Sequence, residues 1–248
     1  MTGSAADRRA QLAANLAALR ARIAEACAAA GRGADEVRLV AVTKFFPAAD
    51  VLHLIGLGLD TFGENRDQEA SAKAARVAEE LADTPSVPVP EWRFIGQLQT
   101  NKVKSVVSYA DVVESVDRLP LAAALAKAAG RAGRPIRCLV QVNLDSAAVR
   151  DGGGRGGAHP DEVPRIADAV AESGTLRLEG LMAVAPLGEP PEAAFARLAA
   201  IFGQLRGAHP EAVSLSAGMS GDLEAAVAVG ATHVRIGSAL LGGRPALR

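Results

Sequence analysis

Eight short apolar runs, each divided from the next by a stretch of helical pattern, constrain this chain more than any other feature. The runs fall at 38–44, 61–64, 92–96, 112–116, 137–144, 178–184, 214–217 and 234–237. The pattern predicts helices near 48–58, 66–82, 100–107, 118–131, 160–173, 190–207 and 221–229, and an Ala-rich amphipathic helix over 4–31 precedes them all. A helix between consecutive strands is a crossover, and crossovers demand parallel strands. Eight such units in 248 residues predict an α/β fold, a (β/α)8 TIM barrel with an additional N-terminal helix. An open doubly wound sheet is the competing architecture, and it needs no eighth unit to close. With 49% hydrophobic residues the chain can bury a large core. Residues 1–248 therefore read as a single barrel domain, with 1–31 the helix packed on it.

Composition removes several classes of function. The formal net charge is −1, from 27 basic and 28 acidic residues, so no basic excess points to nucleic acid or an anionic membrane. The N-terminus is polar at helical spacing and lacks the apolar core of a signal peptide. No apolar run approaches the ~18 residues that span a bilayer. Cys27 and Cys138 fall in a predicted helix and a predicted strand, which argues against a disulfide. A reduced, cytoplasmic protein is the simplest reading. The four histidines (53, 159, 209, 233) show no paired ligand spacing, and no metal site is expected. The glycine-rich stretch 150–157 has no Gly-Lys-Ser/Thr and reads as a mobile rim loop, not a nucleotide P-loop.

In a barrel of this kind reactive groups gather where strands end and βα loops begin. The expected rim residues include Lys44, Glu64, Asn65, Gly96, Glu114, Ser115, Asn143, Ala183, Ser216, Arg235, Gly237 and Ser238. Lys44 ends the run LVAVTK in a chain where five of the 27 basic residues are lysine (44, 73, 102, 104 and 127). Residues two apart on a strand share a face, so Val40, Val42 and Lys44 point the same way. Apolar neighbours disfavour the charged form of an amine, and a neutral amine attacks carbonyls. Arginine cannot do this, because it stays protonated. Two readings of Lys44 stand at this point: a Schiff-base nucleophile, or a rim lysine paired with an acid such as Glu64.

The segment HVRIGSALLGG, 233–243, places Arg235 on one face with Gly237. The Gly237-Ser238 pair lets backbone N–H groups approach an anion, and the following short helix carries no acid in its first turn. Ser216, at the end of the seventh strand, is a further hydroxyl donor to such an anion, and phosphate sites often form after the last two strands of a barrel. The alternative is a tight turn with a helix cap. Met219 lies close to the same place and otherwise reads as packing. Asn65, in TFGENRDQEA, is either a ring contact or a turn residue. Gln99, Thr100, Asn101 and Lys102 form a polar helix start available to a ligand or a partner.

The motifs AVTKFFP, FGENRDQEA, WRFIGQLQTNK, LVQVNLD, LEGLMAVAP and LSAGMSGDLEAAVAVGATHVRIGSALLGGR together resemble the pyridoxal phosphate homeostasis protein family, in the right order from the first strand to the C-terminus. That family is similar to the N-terminal barrel domain of alanine racemase and binds pyridoxal 5′-phosphate (PLP). The resemblance implies PLP held as a Schiff base on Lys44, with phosphate contacts from Ser216, Gly237 and Ser238. It puts Arg235 towards the pyridine nitrogen and Asn65 along the ring, with Met219 nearby. It also implies a role in vitamin B6 and amino-acid balance with little or no turnover. Phe45 and Phe46 stand where relatives often carry smaller or more polar residues, and the 150–157 loop is looser than usual; both touch rim shape.

An arginine beside the pyridine nitrogen opposes its protonation and weakens the ring as an electron sink. In alanine racemase a tyrosine from another subunit's extra domain supplies the second acid/base. Here Tyr109 is the only tyrosine and falls on a helix–strand connection. Holding PLP and passing it to apoenzymes, or exchanging with amino acids, is the reading that follows, with a monomer expected. The alternatives are a fold-type III racemase or lyase, and a regulatory module that uses Gln99–Lys104.

Overall fold

The computed structural model describes residues 5–84, 88–145 and 156–243. Most of the glycine-rich stretch, 150–155, lies outside them. Eight strands form a closed parallel barrel in chain order, β1 (Arg38–Val42), β2 (Thr61–Glu64), β3 (Glu91–Phe94), β4 (Val112–Val116), β5 (Ile136–Val142), β6 (Leu176–Ala183), β7 (Ser214–Ser216) and β8 (His233–Ile236). Closure rests on β8 pairing with β1, in the register Leu39 to Val234, Val40 to Arg235 and Ala41 to Ile236. That pairing excludes the open sheet.

The helices are α1 (Ala5–Ala29), α2 (Ala48–Ile55), α3 (Asp67–Leu81), α4 (Val103–Tyr109), α5 (Leu119–Ala132), α6 (Val163–Ala171), α7 (Pro191–Ala208), α8 (Leu223–Ala228) and α9 (Ser238–Leu241). No described helix is long and apolar enough to cross a membrane. The helix expected over 100–107 begins as a 3-10 turn at Thr100–Lys102 and turns α-helical only at Val103.

Helix α1 buries Leu12, Leu16, Leu19, Ile23 and Cys27. Their spacing of three or four residues makes one apolar stripe. Arg22 pairs with Glu224 at 2.6 Å and donates to the Ser220 carbonyl at 2.8 Å. Arg8 pairs with Asp50 at 2.7 Å and donates to the Leu241 carbonyl at 3.0 Å, while Asn15 donates to the Leu240 carbonyl at 2.9 Å. The additional helix thus braces α9 and the loop after β7.

Alternate strand residues split between two environments, as period-two geometry requires. Leu39, Ala41, Phe62, Trp92, Val234 and Ile236 face the helices in one apolar cluster. Val113, Cys138, Val140, Leu181 and Leu215 face them in a second. The barrel interior has a small apolar patch of Val112, Leu139 and Met182. Buried charged and polar side chains, among them Arg93, Glu114, Ser216 and Arg235, accompany it. At Gly180, φ +150°, an added Cβ would stand 1.8 Å from the Ser214 carbonyl oxygen, so β6 and β7 approach closely only because that position has no side chain.

Two rim expectations are corrected. β1 stops at Val42, because the Phe46 N–H donates to the Thr43 carbonyl at 3.0 Å and turns the chain before Lys44. Glu114 and Ser115 are fully buried, since β4 continues to Val116 and leaves both inside the strand.

Candidate functional site

The C-terminal ends of the strands surround a cavity of about 540 Å³. Val42, Lys44, Phe45 and Phe46 enter from β1 and the turn after it; Asn65 follows β2 and Ile95 follows β3. Gln141, Met182 and Val184 supply another wall, and Arg235 projects from β8. Met219, Ser220 and Gly221 line it after β7, with Gly237, Ser238 and Gly242 beside α9. Of the seven expected site residues, Lys44, Asn65, Met219, Arg235, Gly237 and Ser238 converge here. Among the described lining residues, the only titratable side chains are Lys44 and Arg235.

Ser216 is placed differently. Its side chain is fully buried within the barrel. Its hydroxyl donates to Glu114 Oε2 at 2.6 Å and accepts from Arg235 Nη1 at 2.8 Å. The hydroxyl of the seventh loop that lines the cavity belongs to Ser220, whose Oγ lies 3.4 Å from Ser238 Oγ. Sequence reading missed Ser220 and Gln141. A polar residue interrupting the apolar run of LVQVNLD was the available signal for Gln141, whose Nε2 donates to the Gly156 carbonyl at 2.7 Å.

Lys44 and Phe45 are the central residues of the turn from Thr43 to Phe46. Phe45 has φ +72°, the one non-glycine residue with positive φ among the described residues. Such a backbone costs of order 1–3 kcal/mol and persists only when its surroundings hold it. The Phe45 N–H donates to Glu69 Oε1 at 2.5 Å. Arg66 lies 5.3 Å from the centre of the Phe45 ring and Lys44 Nζ lies 6.0 Å from it. Glu64, the acid weighed as a partner for Lys44, points towards α3 instead: its Oε1 accepts from Lys73 at 2.5 Å and from Thr43 Oγ1 at 2.7 Å. Gly96 gives Asn65 its room, because a Cβ there would meet the Asn65 carbonyl oxygen at 2.3 Å.

Beneath the cavity a ladder of charges runs along the barrel axis. Arg235 donates through Nη2 to the Ala183 carbonyl at 2.7 Å and reaches Glu114 through Ser216. Glu114 Oε1 accepts from Arg93 at 2.5 Å. Arg93 bonds Glu91 at 2.7 Å, and Glu91 also accepts from Arg137 at 2.7 Å. Burial opposes charge on Glu114, yet Arg93 and Arg235 hold its carboxyl below the ordinary range. Burial lowers the Arg235 guanidinium, and Glu114 opposes that fall. Burial also opposes charge on Glu91, but Arg93 and Arg137 hold it down at about 2. His233, buried and close to Arg93, is pushed down to about 4.

Tyr109 ends α4 and lines a separate groove with Ala74, Trp92 and Arg134, away from this cavity. Burial pushes its phenol up. A polar cavity of about 640 Å³ adjoins the main one at Asn65; Gln99 and Lys102 line it with Arg66 and Gln97. Among the described residues no cluster of three or more His, Cys, Asp or Glu side chains is placed to hold a metal ion.

The closed parallel barrel is of the alanine racemase N-terminal domain class. The sequence model of that domain matches residues 14–245. The pyridoxal phosphate homeostasis protein of Mycobacterium leprae is 44% identical over 246 residues, covering 95% of this chain and 94% of the relative. The structure of PipY from Synechococcus elongatus with PLP bound superposes with a TM-score of 0.76 at 34% identity, covering 93% of this chain and 100% of that one. The crystal structure of an unknown protein from Bifidobacterium adolescentis superposes with a TM-score of 0.85 at 30% identity, over 94% of this chain and 96% of that one. The chain belongs to the pyridoxal phosphate homeostasis protein family.

Proposed function

We propose that this protein binds PLP in the 540 Å³ cavity and acts in PLP homeostasis, with Lys44 joined to the cofactor aldehyde as a Schiff base. The observation that carries the reading is the lining itself: Lys44 and Arg235 are its only titratable side chains among the described residues, set among apolar walls and small hydroxyl residues. Those residues fit the group. Val42, Ile95, Met182 and Met219 offer apolar surface to a flat ring, with Asn65 beside them. Ser220, Gly237 and Ser238 offer hydroxyl and backbone donors to a phosphate. PLP supplies an electrophilic aldehyde and an electron-accepting ring when bound.

The chain's own residues define the role further. Ser216 and the Ala183 carbonyl orient Arg235, and Glu114 keeps a negative charge behind it. A guanidinium held there opposes a proton on the ring nitrogen, which restrains carbanion chemistry. The lining holds no tyrosine, histidine or carboxylate among the described residues to move a second proton. This supports a protein that holds PLP with little or no turnover and hands it to apoenzymes or exchanges it with amino acids. We further infer a cytoplasmic monomer folded as one barrel domain.

The test is an absorbance scan of the purified protein with PLP, before and after borohydride, followed by peptide mapping. The expected result is a visible band lost on reduction, with the cofactor mass on Lys44. A Lys44→Ala variant that keeps the visible band and the reduced label overturns the assignment. Solvent-deuterium exchange at the α-carbon of alanine or serine, at rates comparable to a racemase, would favour a fold-type III enzyme instead.

A further inference from the structure

One buried ion cluster lies behind the cavity wall rather than in its lining. Lys73, on α3, lies behind the Lys44 turn and outside the cavity lining; its side chain is 4% exposed. Its ammonium donates to three acceptors: Glu64 Oε1 at 2.5 Å, Glu69 Oε1 at 3.0 Å and the Thr43 carbonyl at 2.8 Å. Each acceptor is tied to the turn. Thr43 is its first residue, and the Thr43 hydroxyl donates to the same Glu64 oxygen at 2.7 Å. Glu69 accepts the Phe45 N–H at 2.5 Å. The Thr43 carbonyl accepts the Phe46 N–H at 3.0 Å as well, closing the turn.

A turn with positive φ at its third residue ordinarily takes glycine or asparagine there. This one carries Phe45 at φ +72°. No local sequence preference explains that conformation, whereas the Lys73 cluster holds the Thr43 carbonyl and, through Glu69, the Phe45 N–H. Lys44 is the residue immediately before the strained position, so the same grip determines how its Cα–Cβ bond leaves the barrel rim.

We propose that Lys73, acting with Glu69 and Glu64 from the β2–α3 unit, is a positioning device that clamps the Thr43–Phe46 turn in its left-handed form and so holds Lys44 towards the cofactor cavity. The proposal rests on the PLP reading for its consequence and on the apoprotein for its geometry. Lys73 touches neither substrate nor cofactor in this scheme; it acts through the backbone of residues 43 and 45.

Two readouts on Lys73→Met and Glu69→Ala test it, with circular dichroism to confirm folding. Glu69 is partly exposed, so its variant carries the test should Lys73→Met fail to fold. In the apoprotein, amide hydrogen exchange at Phe45 is expected to accelerate at least tenfold. The dissociation constant for PLP, read from the visible band, is expected to rise at least tenfold. The Phe45→Gly background supplies a readout that general destabilisation would not move. Glycine adopts positive φ without help, so adding Lys73→Met there is expected to weaken PLP binding less than threefold. Exchange and affinity within twofold of wild type in a folded variant overturn the proposal, as does a full tenfold loss in the Phe45→Gly background. If wild type itself fails to bind PLP, the PLP reading falls and Phe45 exchange in the apoprotein still decides the clamp.

Discussion

Glu114→Leu is the perturbation that most directly probes how the cavity's guanidinium is held. Glu114 is fully buried, accepts from Arg93 at 2.5 Å and from Ser216 at 2.6 Å, and stands one hydroxyl away from Arg235. Leucine is larger than glutamate by roughly one methylene, so the change removes charge without opening a cavity. It leaves two buried guanidinium groups facing each other without their shared carboxylate. Removing one partner of a buried pair costs about 3–5 kcal/mol. Arg93 keeps Glu91 at 2.7 Å, which argues for the lower end of that range. A loss of about 3 kcal/mol lowers the melting temperature of a chain this size by roughly 6–12 °C. Urea unfolding followed by circular dichroism measures it, with an unchanged m-value confirming that the unfolded state is the same. Adding Arg93→Met removes one of the stranded charges, so the double variant is expected to be more stable than the sum of the singles by about 1–3 kcal/mol. A Glu114→Leu cost below about 1 kcal/mol, or strict additivity, would refute the view that this ladder is a coupled charge network.

Acid should destabilise the protein in two stages. His233 is neutral when folded, with its pKa lowered to about 4. Its contribution is therefore complete above the unfolded value near 6.5 and is lost as pH falls towards 4, by roughly 3 kcal/mol. Glu91, lowered to about 2, adds a second loss as pH falls below about 4.3. Urea midpoints at pH 7.5, 5 and 3.5 check this, and a His233→Asn variant should flatten the first stage. Gly96→Ala forces a Cβ to within 2.3 Å of the Asn65 carbonyl oxygen, so a stability loss of about 1–3 kcal/mol and weaker PLP binding are expected in denaturant and absorbance titrations. Arg8→Ala removes the bonds from α1 to Asp50 of α2 and to the Leu241 carbonyl of α9, leaving the Asn15 bond to the Leu240 carbonyl. It should cost about 1 kcal/mol in stability while raising the PLP dissociation constant, read by the same titration.

Much of the architecture was legible because it is written in local periods. The alternation of period-two runs with helical stretches demanded parallel strands, and their count matched a closed barrel. Strand ends then located Lys44, Asn65, Arg235, Gly237 and Ser238 on one face, because every parallel strand ends at the same mouth. The N-terminal helix was legible for the same reason: its apolar stripe recurs every three or four residues from Leu12 to Cys27.

Partnerships across the barrel were not legible, because they depend on stagger and closure. Ser216 and Glu114 are 102 residues apart and meet only because β4 and β7 face each other across the closed interior. That meeting turns Ser216 from a rim hydroxyl into a link between Glu114 and Arg235, and leaves Ser220 to line the cavity. Glu64 looked like a partner for Lys44 along the rim. It sits instead on the helix-facing side of β2, where burial makes Lys73 on α3 its partner. The left-handed backbone of Phe45 is likewise a tertiary outcome, since no residue preference favours it and the contacts that hold it come from another unit of the barrel. Local sequence determined the order and approximate places of the strands and helices. The closed tertiary structure decided which of their charges meet, because a buried ion can persist only where the fold supplies its counterpart.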